Sequence, residues 1–293
     1  MRTWSAIRRR LGRGSSALAA ALALVGLLAC GDPEPREAAP RFVVAVTLAP
    51  QAWFVERLAG EAVDVRVVLP SGASPISHEP SLADVRAVAR AQLYVKLGHP
   101  AFPFEQAWLA QLLDERQGLR VVDGMEGVRV VSGDPHVWLS PAYARGFARR
   151  LHAALRESLP ERGPELDAGL AELLREIDGL DAELRQRLAP HRGRTFAVQH
   201  PAWGAFAREY GLEQLAVEHE HKSPDLHAVQ ALLERLRADA LTVVFVQPQF
   251  DPAGARALAS ELGVRVETLD PLAPDWAENL RRAGRLLAES FAS

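Results

Sequence analysis

The chain has 293 residues, 48% of them hydrophobic, enough to fill one large core or two moderate ones, and two lobes are the expectation at this length. The formal charge of −3 hides an asymmetry: residues 1–30 carry five arginines and no acid, leaving 29 basic against 37 acidic side chains in the remainder, a formal charge of −8. A mildly acidic surface gives nucleic acid no footing, and a single cysteine excludes both an internal disulfide and a thiolate-rich metal site.

Residues 1–30 read as a targeting segment. Arg2, Arg8, Arg9, Arg10 and Arg13 form a basic start, and Ala17 to Ala29 an apolar run too short for a confident membrane span. The ending Leu27-Leu28-Ala29-Cys30 looks like the lipobox of bacterial lipoproteins, in which the cysteine becomes the lipidated first residue; a chance cysteine after an ordinary signal peptide is the plainer alternative. Residues 31–40 (GDPEPREAAP) are polar and proline-rich and read as a flexible tether. The expected location is therefore periplasmic or cell-surface, with lipid as the membrane attachment.

From residue 41 to about 160 the pattern alternates between strand and helix. Strands are expected at Phe42–Val46, Val63–Val68, Leu93–Leu97 and Leu119–Val122, with helices at Gln51–Ala59, after Ser81, and near Phe104–Leu113. Ser81 followed by Asp84 makes a capping box. Tyr143–Leu159 reads as helix, broken at Pro160-Glu161-Arg162-Gly163-Pro164. Across residues 164–190, Leu166, Leu170, Leu173, Leu174, Ile177, Leu180, Leu184 and Leu188 keep helical spacing. A coiled-coil dimer would explain this stripe, but Pro190 and Gly193 stop it just before a second alternating region, which favours a connecting helix within one chain and a monomer. Residues 194–293 then supply strands at Thr195–Gln199, Gln214–Val217, Leu241–Gln247 and Val264–Thr268, with helices near Ala202–Tyr210, Pro224–Arg237, Pro252–Leu262 and Asp275–Ser290. The fold class is α/β: two lobes, each a mostly parallel sheet flanked by helices, joined by one long rigid helix, with ligands expected beyond the carboxyl ends of the strands.

Four side chains competent to bind metal sit beside prolines in loops of this kind: His78 in Ser77-His78-Glu79-Pro80, His136 after Pro135, His200 before Pro201, and Asp270 before Pro271. The prolines stiffen the backbone that delivers each side chain. Successive members lie 58, 64 and 70 residues apart, so only a tertiary fold could unite them. Taken singly, each histidine is more simply a surface or core residue; taken together, three imidazoles and one carboxylate complete the tetrahedral shell that Zn²⁺ prefers. His136 and His200 are each expected to follow a strand and precede a helix.

DPHVWLSP, FAVQHPAWGAFAREYGL, VQPQFDPAGARALASELGVRV and TLDPLAPDWAENL resemble, in that order, segments of the zinc and manganese solute-binding proteins of ABC importers, over roughly residues 42–290. The resemblance implies two lobes holding one metal between them. It places His136, His200 and Asp270 as the second, third and fourth ligands. The first ligand departs from the pattern, because Ile76 occupies the position where the family carries a histidine; His78, two residues on, is the replacement, with Glu79, His99 or a water as competitors. The family's manganese members commonly have an acidic third ligand where His200 stands, which favours Zn²⁺ over Mn²⁺ or Fe²⁺. The histidine-rich loop of some zinc-specific members is missing before His136.

The expected function is capture of Zn²⁺ and delivery to a membrane permease, with binding weakening as pH falls through about 6.5, where free imidazole protonates. A zinc hydrolase would keep an open coordination position beside a general base, and neither HExxH nor another base motif occurs. A metal-dependent surface adhesin stays compatible with the resemblance. Of the remaining residues, His219 and His221 in Glu218-His219-Glu220-His221-Lys222 read as either a metal-capture loop or a solvated turn, Glu105 falls near the cleft without an evident role, and Trp138 and Trp203 read as interface packing.

Overall fold

The computed structural model describes residues 41–75, 77–79, 81–102, 105–106, 118–131, 133–217 and 226–292. The targeting segment, the tether, Ile76, most of the helix expected near Phe104–Leu113 and the loop bearing His219 and His221 lie outside them. The chain divides into a unit of residues 1–41 and a unit of residues 42–293, and all that follows concerns the second.

The first sheet takes β1 (Phe42–Val46), β2 (Val63–Val67), β3 (Leu93–Lys96) and β4 (Arg120–Asp123) in the order β2-β1-β3-β4, every pairing parallel. Between them run α1 (Ala49–Ala59) and α2 (Leu82–Arg90). The α2 capping box forms as expected, with the Ser81 amide donating to Asp84 Oδ2 at 2.7 Å and the Asp84 amide to Ser81 Oγ at 3.3 Å. After β4 the chain enters an irregular segment, a single 3₁₀ turn at Val137–Leu139, and then α3 (Pro141–Ser158). Ser140 caps α3 by accepting the Tyr143 amide, and Pro141 fills the first turn, where its missing N–H costs nothing.

The helix α4 (Gly163–Leu188) crosses from one half to the other. Its apolar stripe is spent inside the chain: Leu166, Leu173, Ile177, Leu180, Leu184 and Leu188 are all buried, and α4 packs on α1, α3 and the last helix. Leu170 and Leu174 of the same stripe are partly buried against this core. The second half repeats the first topology, with β5 (Thr195–Val198), β6 (Glu213–Ala216), β7 (Val243–Val246) and β8 (Arg265–Thr268) in the order β6-β5-β7-β8, again all parallel. Its helices are α5 (Gly204–Tyr210), α6 (Leu226–Ala238), α7 (Ala253–Leu262) and α8 (Trp276–Ala292).

One buried cluster runs without a break from the β1 and β3 core through α4 to Trp203, Phe206, Trp276 and Leu280 of the second half; a smaller one, around Val244, Leu258 and Ala259, lies under α7. The halves therefore share a core. None of the described helices is long and apolar enough to cross a membrane.

Candidate metal site

The segment after β4 carries the first side chain of the site. The stretch before His136 is irregular rather than the strand expected there, since β4 ends at Asp123 and Val128–Val131 pairs with no neighbouring strand. Local hydrogen bonds hold the histidine instead. Asp134 Oδ1 accepts both the His136 amide and its ring Nδ1, each at 3.0 Å, while Asp134 Oδ2 accepts Arg208 Nη2 from α5 at 3.0 Å. Burial alone would raise the Asp134 carboxyl, but the hydrogen bonds and charge of His136, helped by Arg208, hold it below the usual carboxylate value. An ionised carboxylate only accepts, so whenever the His136 ring is neutral its one proton sits on Nδ1 and the lone pair on Nε2, a tautomer able to ligate a metal. Gly204 makes the approach possible: a Cβ there would come within 2.6 Å of Asp134 Oδ2.

His200 follows β5 directly, and the Gln199 amide still donates to Phe245 O at 2.7 Å, extending the strand pairing to the edge of the site. The His200 carbonyl accepts Gln247 Nε2 at 2.9 Å. Its ring lies 4.8 Å from that of Phe250 and 5.2 Å from that of His136, edge to face. The two imidazoles, from opposite halves of the chain, thus meet across one cleft. Pro75, His136 and Trp138 line it from the first half, and His200, Gln249 and Leu272 are among those lining it from the second.

Asp270, after β8, is held just beside this cleft. Its Oδ1 accepts Gln249 Nε2 at 2.8 Å and the Leu272 amide at 2.9 Å, and its backbone carbonyl accepts Asn279 Nδ2 at 2.7 Å. His78 goes elsewhere. Although Pro75 of the same loop reaches the cleft wall, His78 Nε2 lies 3.7 Å from Asp84 Oδ2 at the start of α2. Glu79 is exposed. His99 accepts the Ala101 amide on Nδ1 at 3.0 Å, so its ring lone pair is already used; burial and then the charge of His136 lower its pKa. The structure thus brings His136 and His200 into contact, sets Asp270 behind Gln249, and turns His78 toward Asp84. Among the described residues no three His, Cys, Asp or Glu side chains converge closely enough to enclose an ion as they stand.

Residues to which the sequence assigned no role, or packing alone, complete the frame. Glu105 is buried at 4% exposure and accepts the amides of Leu97 and Gly98 at 2.6 and 2.8 Å and the Thr47 hydroxyl, tying down the loop that carries His99. Burial pushes its carboxyl up despite those bonds. Trp138 does more than pack: its Nε1 donates to Pro271 O at 2.8 Å and its carbonyl accepts Trp276 Nε1 at 2.7 Å, stitching the two halves beside the cleft. Asp134 had a local signal in Asp134-Pro135-His136, a carboxylate two residues before an imidazole; Arg208 and Gln249 had none.

The sequence profile of the family described as zinc-uptake complex component A, periplasmic, matches residues 44–289. The chain belongs to this family. Zinc-uptake component A also describes its architecture: the crystal structure of ZnuA superposes with a TM-score of 0.81 at 34% identity, covering 86% of this chain and 99% of that one. The periplasmic zinc-binding protein TroA from Treponema pallidum shares the fold at a TM-score of 0.78 and 19% identity, over 86% of this chain and 99% of that one. Among curated relatives, the high-affinity zinc uptake system protein ZnuA of Yersinia pestis is 26% identical over 264 residues, covering 78% of this chain and 82% of the relative. The zinc-binding lipoprotein AdcA of Streptococcus pneumoniae is 24% identical over 282 residues, which is 88% of this chain but 55% of that protein; the chain spans about half the length of these AdcA relatives.

Proposed function

We propose that the protein captures Zn²⁺ in the cleft between its two lobes and hands it to the membrane permease of an ABC importer, as a periplasmic or cell-surface solute-binding component and not as an enzyme. The observation that carries this reading is the pair of imidazoles, His136 and His200, delivered by different halves of the chain and facing each other at 5.2 Å, with the His136 proton held on Nδ1 by Asp134. In this reading residues 41–160 and 194–293 act as the lobes about the helix at 164–190, and modest closure brings Asp270 and a fourth group to the ion. His78 is that fourth group if the loop after Pro75 swings away from Asp84 on binding. Cys30 carries the lipid anchor, and the working form is a monomer.

Both His136→Ala and His200→Ala should weaken Zn²⁺ binding by roughly 100-fold or more, because loss of even an outer-shell partner costs about 10–100-fold. Calorimetry on folded variants checks this; unchanged affinity in both would remove the site. His78→Ala decides the fourth position separately: affinity equal to the parent chain shows that another group or water completes the shell.

A further inference from the structure

Asp270 presents its two carboxylate oxygens unequally. Oδ1 receives two N–H donors, Gln249 Nε2 at 2.8 Å and the Leu272 amide at 2.9 Å. A carboxylate oxygen has about two lone-pair directions, so these donors fill Oδ1, and among the described residues none donates to Oδ2, the oxygen that remains for an ion. The Gln249 donor is a side chain and lines the cleft; Leu272 contributes backbone that no substitution of its own side chain would remove. A second observation fixes how Gln249 is oriented. Its Oε1 is buried with no hydrogen-bond partner among the described residues, a costly arrangement that flipping the amide would make worse by setting oxygen against the carboxylate. The need to donate to Asp270 decides the orientation.

We propose that Gln249 is a specificity-determining residue: by occupying Oδ1 it restricts Asp270 to one coordination position and so favours the ion content with few ligands. Zn²⁺ accepts a four-coordinate shell of nitrogen and oxygen, whereas Mn²⁺ seeks more oxygen ligands, and a carboxylate binding through both oxygens is the simplest source of one more. Gln249 withholds that oxygen. The inference rests on the reading of Asp270 as a ligand.

The test is a titration of the whole chain with Zn²⁺ and with Mn²⁺, comparing the parent with Gln249→Met, which keeps the side chain's length and loses its donor. The expected result is a shift of the Mn²⁺-to-Zn²⁺ affinity ratio toward Mn²⁺ by about tenfold, the low end of what an outer-shell change does to a metal site. X-ray absorption of the bound form should show one more oxygen neighbour than in the parent. An unchanged ratio with unchanged oxygen count, or a parallel loss for both ions, overturns the proposal. Asp270→Ala in the same titration separates the two levels. If it abolishes Zn²⁺ binding while Gln249→Met leaves the ratio alone, the specificity role fails and the ligand reading stands; if Asp270→Ala binds Zn²⁺ as the parent does, both fail.

Discussion

Asp134 and His136 work as a pair in which the carboxylate decides which ring nitrogen of the neutral imidazole carries the proton. Two of its contacts are with His136 itself and a third is with Arg208 of α5, so the same carboxylate that sets the tautomer also ties the second half of the chain to the first. Asp134→Asn keeps the shape but exchanges one acceptor oxygen for a donor, and Zn²⁺ affinity should fall by about 10–100-fold, as measured by competition with a chromophoric chelator. Gly204→Ala tests the same contact from the other side. Its methyl would press on Asp134 Oδ2, so it should lower affinity in the same direction with the sheets intact by circular dichroism. At this scale the sequence made the candidates visible but not their roles. The proline-flanked imidazoles stood out because ligand chemistry is confined to few residue types, whereas Arg208 is one arginine among many until the fold sets it against Asp134.

The long helix α4 gathers contacts from both halves along one face. Ile177 is fully buried there, and Ile177→Ala should cost about 2–5 kcal/mol in denaturant unfolding, through lost transfer energy and the cavity left behind. The buried face of the same helix also holds a carboxylate, Asp181, which accepts Arg145 Nη2 from α3 at 2.7 Å and Tyr210 Oη from α5 at 3.1 Å, with Arg185 alongside. Burial works to raise its carboxyl, yet the Arg145 hydrogen bond and the Arg185 charge prevail and lower it. Because folding lowers this pKa, Asp181 contributes stability above the unfolded-state value of about 3.9 and loses it as pH falls through the lower folded value. Asp181→Asn should therefore be less stable than the parent at neutral pH, by about 1.5–3 kcal/mol for hydrogen bonds to a charged group, with the gap closing in acid. Chemical unfolding at several pH values reads this out. The helix itself was legible from its period alone, since eight apolar residues at helical spacing between two proline breaks admit little else. That the stripe meets α1, α3 and α8 of its own chain was not, because a seam for a second copy would have the same period.

Across the whole molecule, two sheets of identical strand order share one continuous core, and the hydrogen bonds of Trp138 with Pro271 and Trp276 cross between the halves beside the cleft. A ligand that binds only the folded state raises its stability by about 2.7 kcal/mol at a hundred times its dissociation constant, so Zn²⁺ should raise the thermal midpoint, a chelator should reverse the rise, and the doubly substituted His136→Ala/His200→Ala chain should show none. Strand and helix order, the central helix and the short roster of residues able to bind metal were determined by the sequence itself, because periodicity, proline placement and side-chain chemistry are local properties. Which of those residues meet was decided by the tertiary structure alone: His136 finds His200, Asp270 is clamped by Gln249, and His78 faces Asp84. Separations of 58 to 70 residues carry no information about the direction in which a side chain points, and that direction is set by the packing of two sheets on one helix.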